Sequence, residues 1–137
     1  MSIRLILITH HQIGQQMLQM ASDTFGTLPL ETEVISVLPH EKVDHLINRV
    51  EAVMRNHDPD RDTLIITDIY GATPGNMACR LLHLPHVRII SGLNLPMLLK
   101  IYNYPQLSID DITTQAIKGG QNGILACNPE LCELQHG

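Results

Sequence analysis

The sequence predicts an α/β fold: a doubly wound, mostly parallel sheet of four strands with helices on both faces, plus a short C-terminal strand. Three observations carry this. Short apolar runs alternate with helical stripes along the whole chain. One of those runs, Ile3 to Ile8, is nearly continuously apolar with branched residues, as a strand buried on both faces is. Parallel strands joined by right-handed crossovers then leave one open sheet. The 137 residues suffice for one domain, 1–137, which buries roughly 68–70% of its unfolded surface without staples.

The elements follow in order. Ile3 to Ile8 is the first strand, and Ile13, Met17, Met20 and Ala21 then mark one face of a helix that Gly26 and Pro29 close. The second strand is Thr32 to Val37, with a turn at Pro39. Val43, Leu46, Ile47, Val50, Val53 and Met54 form a helical stripe, ended by the turn-rich Asn56 to Asp62. Thr63 to Thr67 is the third strand. Thr73 suits an N-cap and Pro74 the first helical position, and that helix stops before Pro85. Val87 to Ser91 is the fourth strand, and a short helical piece starts near Met97. Ser108, with Asp111 three residues on, caps a further helix that Gly119-Gly120 ends. Ile124 to Cys127 reads as the last strand. Following a helix with no obvious neighbour, it is expected to cross to a second subunit and cap an exposed sheet edge.

Composition narrows the function classes. The hydrophobic fraction is 44%, the charged fraction 17% and the net charge −5. This is a globular chain without the basic surface a nucleic acid requires. No apolar run approaches the ~20 residues of a membrane helix, and no signal peptide is evident, so a cytoplasmic location is expected. Cys79, Cys127 and Cys132 match no common zinc spacing and are expected to be reduced thiols. His40, Asp44 and His45 supply too few convergent ligands for a metal, and no cofactor is expected. Met17, Met20 and Met54 fall on helical stripes as core filler.

In open parallel sheets, ligands bind outside the carboxyl ends of the strands. The unusual residues of this chain gather there. Thr9-His10-His11 follows the first strand, Asp68 to Thr73 the third, and Gly92 to Pro96 the fourth. Together they offer an imidazole, a carboxylate and, at the helix starting with Thr73-Pro74, free N–H groups with a positive dipole end. That set suits a phosphohistidine. A carboxylate on one ring nitrogen leaves the other free to attack phosphorus and offsets the charge that develops on the ring. Phosphoryl transfer is mostly positioning and electrostatics, so no metal is required.

The motifs Thr9-His10, Asp68-Ile69-Tyr70-Gly71-Ala72-Thr73-Pro74-Gly75-Asn76 and Gly92-Leu93-Asn94-Leu95-Pro96-Met97 resemble the enzyme IIA domain of the mannose/fructose/sorbose family of the bacterial sugar phosphotransferase system. The resemblance implies that His10 is phosphorylated, that Asp68 bonds its other ring nitrogen, and that Thr73 contacts the phosphoryl group. It implies that Thr9, Gly71, Ala72 and Asn94 line the pocket. It further implies the phosphocarrier protein HPr as donor, an enzyme IIB as acceptor or a stand-alone regulatory role, a homodimer that exchanges its last strand, and at most peripheral contact with a membrane permease. Ala72 stands where the family pattern has a second Gly, and His11 is an extra histidine beside the expected carrier.

Three alternatives compete with this reading. The phosphotransfer subunit of a bacterial dihydroxyacetone kinase system also carries a His after its first strand; Tyr70 to Pro74 favours the mannose type. A histidine phosphatase needs an Arg just before its His, where this chain has Thr9. A non-catalytic nucleotide- or anion-binding module would want a Gly-rich turn directly after the first strand, where this chain has Thr9-His10-His11-Gln12.

Overall fold

The computed structural model describes residues 2–136 with the exception of 57, 59 and 70–72. Four parallel strands, β1 (Arg4–His10), β2 (Thr32–Val37), β3 (Thr63–Thr67) and β4 (Val87–Ser91), form one sheet in the order β2-β1-β3-β4. The helices are α1 (Ile13–Phe25), α2 (Val43–Arg55), α3 (Thr73–Arg80), α4 (Leu95–Asn103), α5 (Ile109–Asn122) and α6 (Pro129–His136). In β1, Leu5 pairs with Thr32 of β2 on one side and with Leu64 of β3 on the other. The chain winds outward to β2 from β1 and in the opposite direction to β4 from β3. The gap between the ends of β1 and β3 is therefore where the winding reverses, the place where such sheets bind ligands.

Alternation along the buried strands divides the core in two. Leu5 and Leu7 of β1, with Leu64 and Ile66 of β3, face α1, α4 and α5, meeting Ala21, Leu98, Ile101, Ile112 and Ala116. Ile6, Ile8, Ile35 and Ile65 face α2 and α3, meeting Leu46, Val50, Met77 and Leu81. Each fully buried aliphatic side chain contributes about 1.5–3 kcal/mol from removal of its apolar surface from water. Tyr102 is the one phenol in this core among the described residues; burial pushes its pKa up to about 12, with a 2.6 Å hydrogen bond to the Thr32 hydroxyl pulling the other way. On α1 the buried face is Gly14, Ala21 and, partly, Met17, Leu18 and Phe25, whereas Met20 and Ile13 are exposed. The core reading of Met20 is thereby corrected: the stripe is rotated toward the small residues that let the helix lie close to the sheet.

One expectation near the C-terminus is corrected. Gly119-Gly120 does not end α5, which continues to Asn122. A Cβ at Gly119 would stand 2.7 Å from Lys100 Cβ, and one at Gly120 would stand 3.0 Å from Met97 Cε. The glycines are there so that α5 can press onto α4. Ile124 to Cys127 forms no strand within the chain; residues 124–128 are irregular and lead into α6. That helix has an ordinary start signal, since Asn128 accepts the Leu131 N–H at 2.8 Å ahead of Pro129 in the first helical position. Among the described residues, no helix is long and apolar enough to cross a membrane.

Candidate functional site

His10 is the last residue of β1, and Asp68 lies one residue beyond β3, on the neighbouring strand. One carboxylate oxygen, Oδ2 of Asp68, accepts two hydrogen bonds from His10: from the backbone N–H at 3.0 Å and from ring Nδ1 at 2.9 Å. An ionised carboxylate only accepts, so Nδ1 is the donor, and in the neutral ring that leaves the lone pair on Nε2. The Asp68 side chain is 10% exposed and the His10 side chain 34%. The carboxylate is thus sheltered while the ring reaches solvent. Asp68 Oδ1 is buried and has no hydrogen-bond partner among the described residues.

Local sequence sets this geometry. Thr9 is fully buried, and its hydroxyl accepts the Gly14 N–H at 2.9 Å, tying the start of α1 to the end of β1. A Cβ at Gly14 would fall 2.7 Å from that hydroxyl, so only glycine allows the approach. Between them, His11 turns the chain with φ 49°. Across the rim, the Thr67 carbonyl accepts the N–H groups of Gly92 and Leu93, each at 3.0 Å. Gly92 adopts φ 99°, a conformation open to glycine, in making that turn.

A cleft of about 240 Å³ opens beside the ring, lined by His10, His11, Val37, Leu38, His40 and Glu41. Its far wall, the 38–41 turn, is built around Glu41, a residue the sequence reading passed over. The Glu41 side chain is 1% exposed. It accepts the Leu38 N–H at 2.9 Å, and it pairs with Arg49 at 2.8 Å and His45 at 2.6 Å. Burial pushes this carboxyl up, but the Leu38 hydrogen bond and the Arg49 and His45 charges outweigh it and hold the pKa below its ordinary value. His40 takes φ 61° in the same turn. The signal in the sequence is the pair His45 and Arg49, four residues apart on one face of α2, with an acidic residue, Glu41, just ahead of the helix start to meet them.

The remaining predicted site residues divide. Gly71 and Ala72 lie outside the described residues. Thr73 opens α3, five positions after Asp68, so the helix start stands at the same rim. Asn94 is the N-cap of α4: its Oδ1 accepts the Met97 N–H at 2.9 Å, and its Nδ2 donates to the Gly120 carbonyl at 3.0 Å. The polar atoms of Thr9 and Asn94 are therefore engaged in holding the rim together. Away from the site, Asp44 pairs with Arg80 at 3.2 Å, and the three cysteines are exposed and free.

Comparison with known proteins adds a second line of findings. The family model for the PTS system fructose IIA component matches residues 4–117. The chain is 27% identical over 136 residues to the PTS system mannose-specific EIIAB component of Escherichia coli (strain K12), covering 97% of this chain but only 42% of that protein. It is 28% identical over 112 residues to the PTS system sorbose-specific EIIA component of Klebsiella pneumoniae, covering 80% of this chain and 81% of that protein. In fold it is similar to the mannose/sorbose specific IIA subunit of the phosphotransferase system from Enterococcus faecalis, with a TM-score of 0.84, 22% identity, and 93% and 96% of the two chains covered.

Proposed function

The chain belongs to the PTS system fructose IIA component family, and on that premise we propose that it is a phosphoryl carrier whose carrier atom is Nε2 of His10. The observation that carries this reading is the 2.9 Å bond between His10 Nδ1 and Asp68 Oδ2 beneath a part-exposed ring. With the proton held on Nδ1, the Nε2 lone pair attacks phosphorus. The bond from phosphorus to its donor breaks as the Nε2–P bond forms, and the donor leaves with the electron pair. The ring gains positive charge in this step, and the carboxylate offsets it. The start of α3 at Thr73 would hold the phosphoryl oxygens with its free N–H groups. Transfer onward to an acceptor reverses the step.

The donor is the phosphocarrier protein HPr and the acceptor an enzyme IIB, both in the cytoplasm. Exposed apolar side chains at the rim favour protein partners over a free small molecule. Ile13 opens α1 just beyond His10, Leu38 lines the cleft, and Ile69 follows Asp68; all three are exposed. The test is transfer from phosphoenolpyruvate through enzyme I and HPr. The chain is expected to gain one phosphate that is labile in acid and stable in base, as a phosphorus–nitrogen bond is. Label that stops at HPr would end the proposal.

The same reading includes a homodimer. β4 is an edge strand, and the irregular segment after α5 exposes Ile124 and Leu125, at 76% and 62%. Pairing this segment with a partner's edge would bury both side chains and satisfy its backbone. Light scattering at micromolar concentration is expected to give twice the chain mass, and a monomer there counts against the exchange.

A further inference from the structure

The amino ends of the strands carry a second feature, at the opposite end of the sheet from His10. Arg4 begins β1, six residues before His10, which separates the two by about 20 Å at strand rise. Arg4 is 1% exposed. Its Nε and Nη2 both donate to the Thr63 hydroxyl, at 3.2 and 3.1 Å. Its third nitrogen, Nη1, is buried and has no hydrogen-bond partner among the described residues. The Arg4 side chain lines a cavity of about 550 Å³, within the roughly 300–1,000 Å³ range of small-molecule sites. Arg4, Arg55, Arg61 and Glu51 supply the charges of its lining, and Met54 and Leu84 supply apolar wall.

We propose that this cavity binds a small organic anion, an apolar body bearing one carboxylate or phosphomonoester head, with the head on Arg4 Nη1. A guanidinium cannot shed its proton to escape burial, so an anion is what satisfies it. Burial and the neighbouring Arg61 both press on the Arg4 charge, with Glu31 and Glu33 relieving it in part. Arg61 is already committed to the Glu31 carboxylate and to the carbonyls of Ser2 and Ile3. The head therefore falls to Arg4, with exposed Arg55 as the second cation. Glu51 at the wall opposes the anion without cancelling the two arginines, and the apolar walls accept the body.

The test titrates the whole chain with sodium octanoate, benzoate and phenyl phosphate, with benzyl alcohol as the uncharged control. Calorimetry and amide NMR shifts are the readouts. Saturable binding of at least one anion is expected, with shifts at Arg4, Thr63 and Leu84 and none at His10. Octanoate and benzoate against phenyl phosphate decides the head group. Arg4→Met, which keeps the length and removes the charge, is expected to weaken binding at least tenfold. Arg55→Met is expected to weaken it several-fold and Glu51→Gln to tighten it. Absence of saturable anion binding to the wild-type chain overturns the proposal. So does equal binding by folded Arg4→Met, or shifts confined to His10. Should Arg4→Met fail to fold, unchanged affinity in both Arg55→Met and Glu51→Gln overturns it.

Discussion

His10→Ala is expected to abolish phosphorylation of this chain by HPr, while His11→Ala keeps most of it. The two residues are adjacent, yet their surroundings differ. His10 is held in the β1 ladder, with its ring Nδ1 on a sheltered carboxylate that sets the tautomer. His11 lies outside the strand, exposed, at φ 49°. Nothing among the described residues orients its ring, so its nucleophilic nitrogen is not selected. Folding does not explain the expected loss in His10→Ala. The backbone N–H of residue 10 still reaches Asp68, and the removed ring is one-third exposed. Unchanged thermal melting together with absent label is the expected pair of results. Label retained by His10→Ala and lost by His11→Ala would relocate the carrier.

How much of this site was legible before folding depends on what each residue answers to. The four strands and most helix starts are local matters of periodicity and capping, and Thr32 to Val37, Thr63 to Thr67 and Val87 to Ser91 match their observed bounds. Placing His10 and Asp68 at strand ends was local too, because parallel sheets present those ends together. The order β2-β1-β3-β4, which makes the two ends neighbours, is a tertiary result that no local pattern encodes. Gly119-Gly120 misled because glycine is both a helix terminator and a close-packing residue, and only the presence of α4 distinguishes the two roles. The helix start at Asn128-Pro129 is legible by the same capping rule. Thr9 and Asn94 carry the polar chemistry a phosphate site calls for. In the fold their side chains hold Gly14, Met97 and Gly120 in place, a use that depends on helices packed from elsewhere in the chain.

Asp68→Asn tests the mechanism apart from the identity of the carrier. The substitution keeps size and removes charge. Its amide can meet the ring in two ways. With its oxygen toward Nδ1 the tautomer survives, but nothing offsets the positive charge that forms at phosphorylation. With its NH₂ toward Nδ1 the ring proton moves to Nε2, and the attacking lone pair is lost. Each arrangement slows transfer. Replacement of the orienting Asp by Asn in a catalytic triad costs about 10⁴-fold, and a loss of roughly 10³–10⁴-fold in the transfer rate from phosphorylated HPr is expected here. The fold is expected to hold, because the residue stands beyond β3 at the rim and an amide can still accept the His10 backbone N–H. Rapid-quench transfer kinetics measure the loss, and ¹⁵N shifts of the His10 ring report which tautomer is present. Asp68→Ala separates the two arrangements. It removes the orienting group without imposing the wrong tautomer, so a smaller loss than in Asp68→Asn identifies tautomer control as the larger effect. Equal losses identify charge compensation instead. Normal transfer by both variants, with the proton still on Nδ1, would remove Asp68 from the mechanism even with His10 as carrier.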